Sequence, residues 1–192
     1  DNVDGGEGND TIVTTTGNDT IAGGGGNDTV AAGNGANSIT LGAGNDIVVA
    51  GVAADSIDGG ADNDTITAGD GANTIEGGSG NDTVSAGVDG DVISLSDGND
   101  TLTDTGGDNT ITAGAGADVV TTSTGADNIS LGEGDDTLTD GGGVNSIDGG
   151  NGANVITAAG GGTINTGTGA DSITGLTTAA TVNSGGGADT VV

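Results

Sequence analysis

No lysine, arginine or histidine occurs anywhere in this chain, and no cysteine, proline, methionine or aromatic residue either. Each absence removes chemistry. Without His, Cys or Lys there is no Ser/His, Cys/His or Schiff-base nucleophile system, so no enzymatic activity is expected. A Walker-type phosphate loop needs its Lys, so the Gly-rich stretches are not that motif. Nothing can neutralise phosphates, which excludes nucleic acid as a partner. No apolar run approaches the ~20 residues of a spanning helix, so no membrane insertion is expected. An ordinary globular core is hard to build without one aromatic. The chain starts at Asp1 without Met or a signal segment, which predicts a segment of a longer protein.

What remains is 45 Gly, 29 acidic residues and a formal charge of -29. By composition alone this reads as disorder. The order of the residues says otherwise. From Val3 an aliphatic residue recurs every nine positions through Ile12, Ile21 and Val30 to Ile156, and after one eight-residue step it continues from Ile164 to Val191. All 22 positions of this series are Ile, Val or Leu, and in 20 of them an Asp or Asn stands two residues earlier. Gly commonly precedes that residue by two and by four positions. Gly5-Gly6-Glu7-Gly8-Asn9-Asp10-Thr11-Ile12 and Gly77-Gly78-Ser79-Gly80-Asn81-Asp82-Thr83-Val84 show the unit in full.

Over its whole length the chain resembles the RTX family, whose repeat is G-G-x-G-x-D-x-U-x with U a large apolar residue. The resemblance implies an all-β, right-handed parallel β-roll with two nonapeptides per turn. At ~4.8 Å per strand spacing, about eleven turns would form a rod of roughly 50 Å. The residues support the same reading. In x-U-x, U points inward and its neighbours, mainly Thr, Ser and Val, point outward from a three-residue strand. The intervening residues turn the chain, with Gly at the positive-φ positions. A longer period is also present: Ile93–Asp104 reads ISLSDGNDTLTD and Ile129–Asp140 reads ISLGEGDDTLTD, 36 residues later. With no linker or compositional break, residues 1–192 are expected to form one domain.

One inward aliphatic residue per nonapeptide is a thin core, and stacking Asp on Asp adds repulsion. A hard cation with oxygen ligands answers both, and carboxylates with backbone carbonyls are calcium's preferred set. In the RTX family the ion lies between neighbouring loops, which implies sharing by residues 18 apart. One edge of the roll then carries Asp10, Asp28, Asp46, Asp64, Asp82, Asp100, Asp118, Asp136, Asp171 and Asp189, with Asn154 between Asp136 and Asp171. Turn formation alone would be served as well by Asn as by Asp, so this run of Asp predicts a full calcium row. The other edge carries Asp1, Asp19, Asp55, Asp91 and Asp127, alternating with Asn37, Asn73, Asn109 and Asn145 and ending in Gly162 and Ala180. Its loops Gly51–Asp55, Asp104–Asn109 and Gly175–Ala180 depart from the pattern, so a weaker, partial row is expected there.

Every repeat has an acid, so no pair of carboxylates is singled out as a glycosidase site. The face carrying Ile12, Val30 and Val48 is flanked only by uncharged residues such as Thr65, Thr67, Thr101 and Thr103, whereas the opposite face carries Asp4, Asp58, Glu76 and Asp148. Calcium-folded rolls of similar kind include ice binders with a Thr row inside the calcium loop. Here that loop position reads Glu7, Gly25, Ala43, Ala61 and Ser79, with no Thr row. The expected function is a calcium-stabilised, self-associating structural module of a secreted bacterial surface protein, such as a surface layer, fibre or large adhesin. The alternative is the calcium-folded segment of a secreted toxin or hydrolase whose active site lies elsewhere in the chain. A ligand-binding or ice-binding Thr face is a minor third reading.

Overall fold

The computed structural model describes residues 1–176 and 180–192. Among them there is no helix. Twenty-two strands alternate along the chain between two parallel sheets of 11 strands each. In one sheet Ile21 sits between Val3 and Ile39, and in the other Val30 sits between Ile12 and Val48. Each coil is therefore 18 residues, two nonapeptides, and the chain is a β-solenoid. The aliphatic series forms two facing columns, one per sheet, and residues from Ile12 to Ile173 join one hydrophobic cluster.

The strands of the first sheet run further than x-U-x. Thr20–Gly25, Ser38–Ala43 and Ser56–Ala61 each span six residues, against three in Thr11–Val13, Thr29–Ala31 and Ile47–Val49 of the second sheet. Their glycines continue the pairing into the turn, with Gly24 between Gly6 and Gly42. A Cβ on Gly24 would lie 1.9 Å from the Gly6 carbonyl oxygen, and its φ is +113°. Glycine is the residue that lets the coils stack this closely there without strain.

Because the backbone stays extended past the outward neighbour, the next residue also points inward. In many coils the core is thus two side chains deep per nonapeptide, not one as the repeat alone indicates, although Gly23, Gly59 and Gly77 leave the second place without a side chain. Leu41, Leu95 and Leu131 fill this second place in the first sheet, and Ala32, Ala50, Ala68, Ala86 and Ala158 fill it in the second. Each buried Leu adds about 1.5–3 kcal/mol of burial that a one-residue core lacks. The eight-residue step leaves the core register intact, since Ile164 still pairs with Ile147 and Gly162 with Asn145. The missing residue is lost from the turn between Ala158 and Gly161. The irregular stretch Gly175–Ala180 lies in part outside the described residues.

Candidate metal centre

The turn leaving the first sheet delivers each repeat Asp to one edge of the solenoid, just before the next strand of the second sheet. There the ten Asp and Asn154 form one column. The backbone N–H of each donates to Oδ1 of the residue one coil further on: Asp28 to Asp46 at 2.7 Å, Asp64 to Asp82 at 2.8 Å, Asp100 to Asp118 at 2.8 Å and Asp136 to Asn154 at 2.9 Å. One carboxylate oxygen is thereby consumed in joining coils. The other, Oδ2, is buried without a partner in Asp10, Asp28, Asp46, Asp64, Asp82, Asp100, Asp118, Asp136 and Asp171. Asp189, in the last coil, is half-buried and accepts from Asp171 N–H at 3.1 Å.

The second edge, at the other end of the strands, repeats the arrangement with every other carboxylate replaced by an amide. Asp55 N–H donates to Asn73 Oδ1 at 2.9 Å, Asn73 N–H to Asp91 at 2.7 Å, and Asn109 N–H to Asp127 at 2.9 Å. Buried Oδ2 atoms without partners occur at Asp19, Asp55, Asp91 and Asp127. The exposed Asp1 contributes its α-ammonium, which donates to Asp19 and holds that carboxyl below the usual range, with help from Thr14. Where Gly162 and Ala180 stand in the column there is no side-chain acceptor to continue it.

A column of unpartnered carboxylate oxygens in a protein interior is costly as ions. Burial pushes the Asp64 carboxyl up to about 7; the N–H bond from Asp46 opposes this, and the charges of Asp82, Asp46 and Asp62 add to it. Asp100 is pushed up to about 6 by burial, with Asp82 and Asp118 contributing. Burial likewise raises Asp82, Asp118 and Asp136.

Two sets of residues at the edges carry no signal in the nonapeptide formula. Asn9, Asn27, Asn45, Asn63, Asn81 and Asn99 form an exposed ladder beside the first column, each Oδ1 accepting the N–H of the residue one coil on, as Asn27 does from Asn45 at 3.1 Å. The recurring Asn-Asp dipeptide is its trace in the sequence. Asp104 and Asp140 are buried at the second inward position, and the repeated TLTD at 36-residue spacing is theirs.

The profile described as RTX calcium-binding nonapeptide repeat (4 copies) matches residues 4–39, 32–66, 40–75, 58–93, 94–129 and 121–156. Together these matches cover well over half of the chain. The chain belongs to the RTX calcium-binding repeat family. No curated protein matches it. For an RTX roll the donor set fits the family's metal: calcium takes six to eight oxygens, from carboxylates and backbone carbonyls alike. Among the described residues no three acidic side chains converge on one point. Loop carbonyls must therefore complete any site that the unpartnered Oδ2 atoms begin. The RTX glycines bring such carbonyls close, as where Gly26 O lies 2.2 Å from the place a Cβ of Gly44 would take.

Proposed function

We propose that this RTX roll is a calcium-stabilised structural module of a secreted bacterial surface protein, a surface layer, fibre or large adhesin, and that it self-associates. The observation that carries the reading is the unpartnered Oδ2 column of the first edge. Calcium bound between its coils would join Asp10, Asp28, Asp46, Asp64, Asp82, Asp100, Asp118, Asp136, Asp171 and Asp189, and a partial row would involve Asp1, Asp19, Asp55, Asp91 and Asp127. Ten such ions would bring the formal charge from -29 to about -9 and relieve the self-repulsion of the coils. Extracellular calcium modules work at about 10⁻⁴–10⁻³ M calcium, a supply that a roll outside the cell would meet.

Self-association has its own support. A chain without a single cationic side chain repels copies of itself wherever its acids face outward. The outer surface of the second sheet carries none, and Val13, Ile47, Val49, Val119 and Val155 stand exposed on it among Thr residues. Sedimentation and electron microscopy in calcium and in chelator test the proposal. Calcium-dependent filaments or sheets are expected; a monomer at high concentration in calcium would remove the assembly role and leave a calcium-folded spacer.

A further inference from the structure

Asp104 is a buried carboxylate where the nonapeptide pattern has no acid. It lies two positions past Leu102, the inward place filled by Ala32, Ala50, Ala68 and Ala86 in earlier coils. Its Oδ2 accepts from Asn109 Nδ2 at 2.8 Å and from Gly106 N–H at 3.1 Å, while its Oδ1 is buried with no partner.

Asp140 provides the internal comparison. It is equally buried and takes the same bond from Asn145 Nδ2 at 2.8 Å. Its Oδ1, however, accepts from Gly142 N–H at 3.2 Å and from the Thr122 hydroxyl at 3.3 Å. Thr122 is the residue one coil before Asp140. The corresponding residue before Asp104 is Ala86, which has no hydroxyl to give. The oxygen that is satisfied in Asp140 is therefore left open in Asp104.

The open oxygen has a counterpart. Asp91, one coil earlier on the same edge, is buried and its Oδ2 has no partner. Asp91 adds to the upward push that burial gives the Asp104 carboxyl, and more than Asp127 does on the other side. Between these two acids the repeat position is Asn109, an amide in place of the pattern's carboxylate. It accepts from Asp91 N–H through Oδ1 at 2.8 Å and holds Asp104 through Nδ2.

We propose that Asp104 Oδ1 and Asp91 Oδ2 hold one calcium ion on the second edge, at a site outside the repeat-Asp pattern. Asp104 returns from the inside the carboxylate that Asn109 lacks. Asn109 and Gly106 N–H fix the second oxygen of Asp104, the kind of outer-shell support whose removal costs about 10–100-fold in metal affinity. Loop carbonyls complete an all-oxygen set. The site rests on the calcium reading given above for the whole roll.

Native mass spectrometry of the full chain at saturating calcium counts the ions. D104N is expected to carry one ion fewer than the unaltered chain, and D140N the same number. Equal counts for D104N and the unaltered chain overturn the site, and so does an equal loss in both variants, because Asp140 has no free oxygen. If D104N does not fold in calcium, D104A replaces it, since Ala fills this place in four earlier coils. A crystal of the unaltered chain grown in calcium gives an independent measurement: an ion about 2.3–2.6 Å from Asp104 Oδ1 is expected, and empty density there refutes the proposal. A chain binding no calcium at all would sink the reading of the whole roll, a result distinct from a filled first edge with nothing at Asp104.

Discussion

The N–H of Asp82 donates to Oδ1 of Asp100 at 2.7 Å, and Oδ2 of Asp100 is buried with nothing to bond. The same side chain thus ties one coil to the next and introduces an unsolvated charge between them. Repeated along an edge, this makes the fold self-consistent in geometry and strained in electrostatics. A divalent cation shared between coils removes the strain without disturbing the ladder.

Folding is expected to follow calcium. In chelator at neutral pH the chain should be an expanded coil, driven by 29 uncompensated charges; millimolar calcium should produce the two sheets. Far-UV circular dichroism through a calcium titration is the check. A full β signal in chelator would mean that the aliphatic columns and the ladders suffice alone.

Protons should substitute partly for calcium. The folded carboxyls of Asp64 and Asp100 are raised to about 7 and about 6, above the ordinary Asp value near 3.8. An acid raised on folding binds its proton more tightly in the fold, so its contribution is fully present below the unfolded pKa and is lost as pH rises through the folded one. Without calcium, β structure should therefore appear on acidification from pH 8 towards 4, across the window around 6–7. With calcium the trend reverses, because protons compete for the same oxygens, and the calcium midpoint should rise below pH 6–7. Circular dichroism over a pH series, with and without chelator, reads both slopes.

D82N separates the ladder from the metal. Asn154 shows how an amide fits this column: it accepts from Asp136 N–H at 2.9 Å and donates to Gly149 O at 2.9 Å. D82N should keep the bond from Asp64, remove a buried charge and stabilise the calcium-free fold, while raising the calcium midpoint. D82A should raise the midpoint too but also leave the Asp64 N–H unpaired, at a cost of about 1–3 kcal/mol. If D82N shifts neither the calcium midpoint nor the ion count, Asp82 is only a turn and ladder residue.

The aliphatic register made a nine-residue repeat of short strands legible, and the resemblance to RTX repeats implied the 18-residue coil and with it the two Asp columns. The second inward column was not legible. Leu41 and Leu95 show it, but Gly23 and Gly59 occupy the same place in neighbouring coils, and Thr or Asp elsewhere, so no hydrophobic period marks it. The ladder was hidden for a different reason. Asn73 looks like a lost ligand in the formula, yet its Oδ1 joins two coils, so its value is structural whatever the metal does.

Backbone strain is concentrated at three non-glycine residues with positive φ: Ala53 at 96°, Asp62 at 76° and Ser96 at 79°. Asp62, in a turn of the first edge, and Ser96, near the end of the strand Val92–Asp97, stand where other coils have Gly. S96G and D62G should each stabilise the calcium-bound roll by about 1 kcal/mol, the cost of holding a non-glycine residue left-handed. G78A should do the opposite, since its φ is +109° and a Cβ would lie 2.0 Å from Gly60 O. Thermal unfolding in calcium tests the pair of signs; a destabilising S96G would show that the Ser94–Ser96 hydroxyl contact at 3.4 Å outweighs the strain.

Assembly should depend on the outer face of the second sheet. Ile47 and Val49 flank inward-pointing Val48, and Val119 lies further along the same face; all three are nearly half exposed. Placing acids there extends the repulsion of the rest of the surface to the one face that lacks it. V49E combined with V119E should abolish lateral association in calcium while leaving the fold and the calcium midpoint unchanged, because both side chains point away from the core. T40E and S130E on the opposite sheet serve as the control of equal added charge, and should alter assembly much less. Sedimentation velocity in millimolar calcium distinguishes the cases. If both pairs dissociate the assemblies equally, net charge governs association; if neither does, the uncharged face is an ordinary solvated sheet and association runs through another surface.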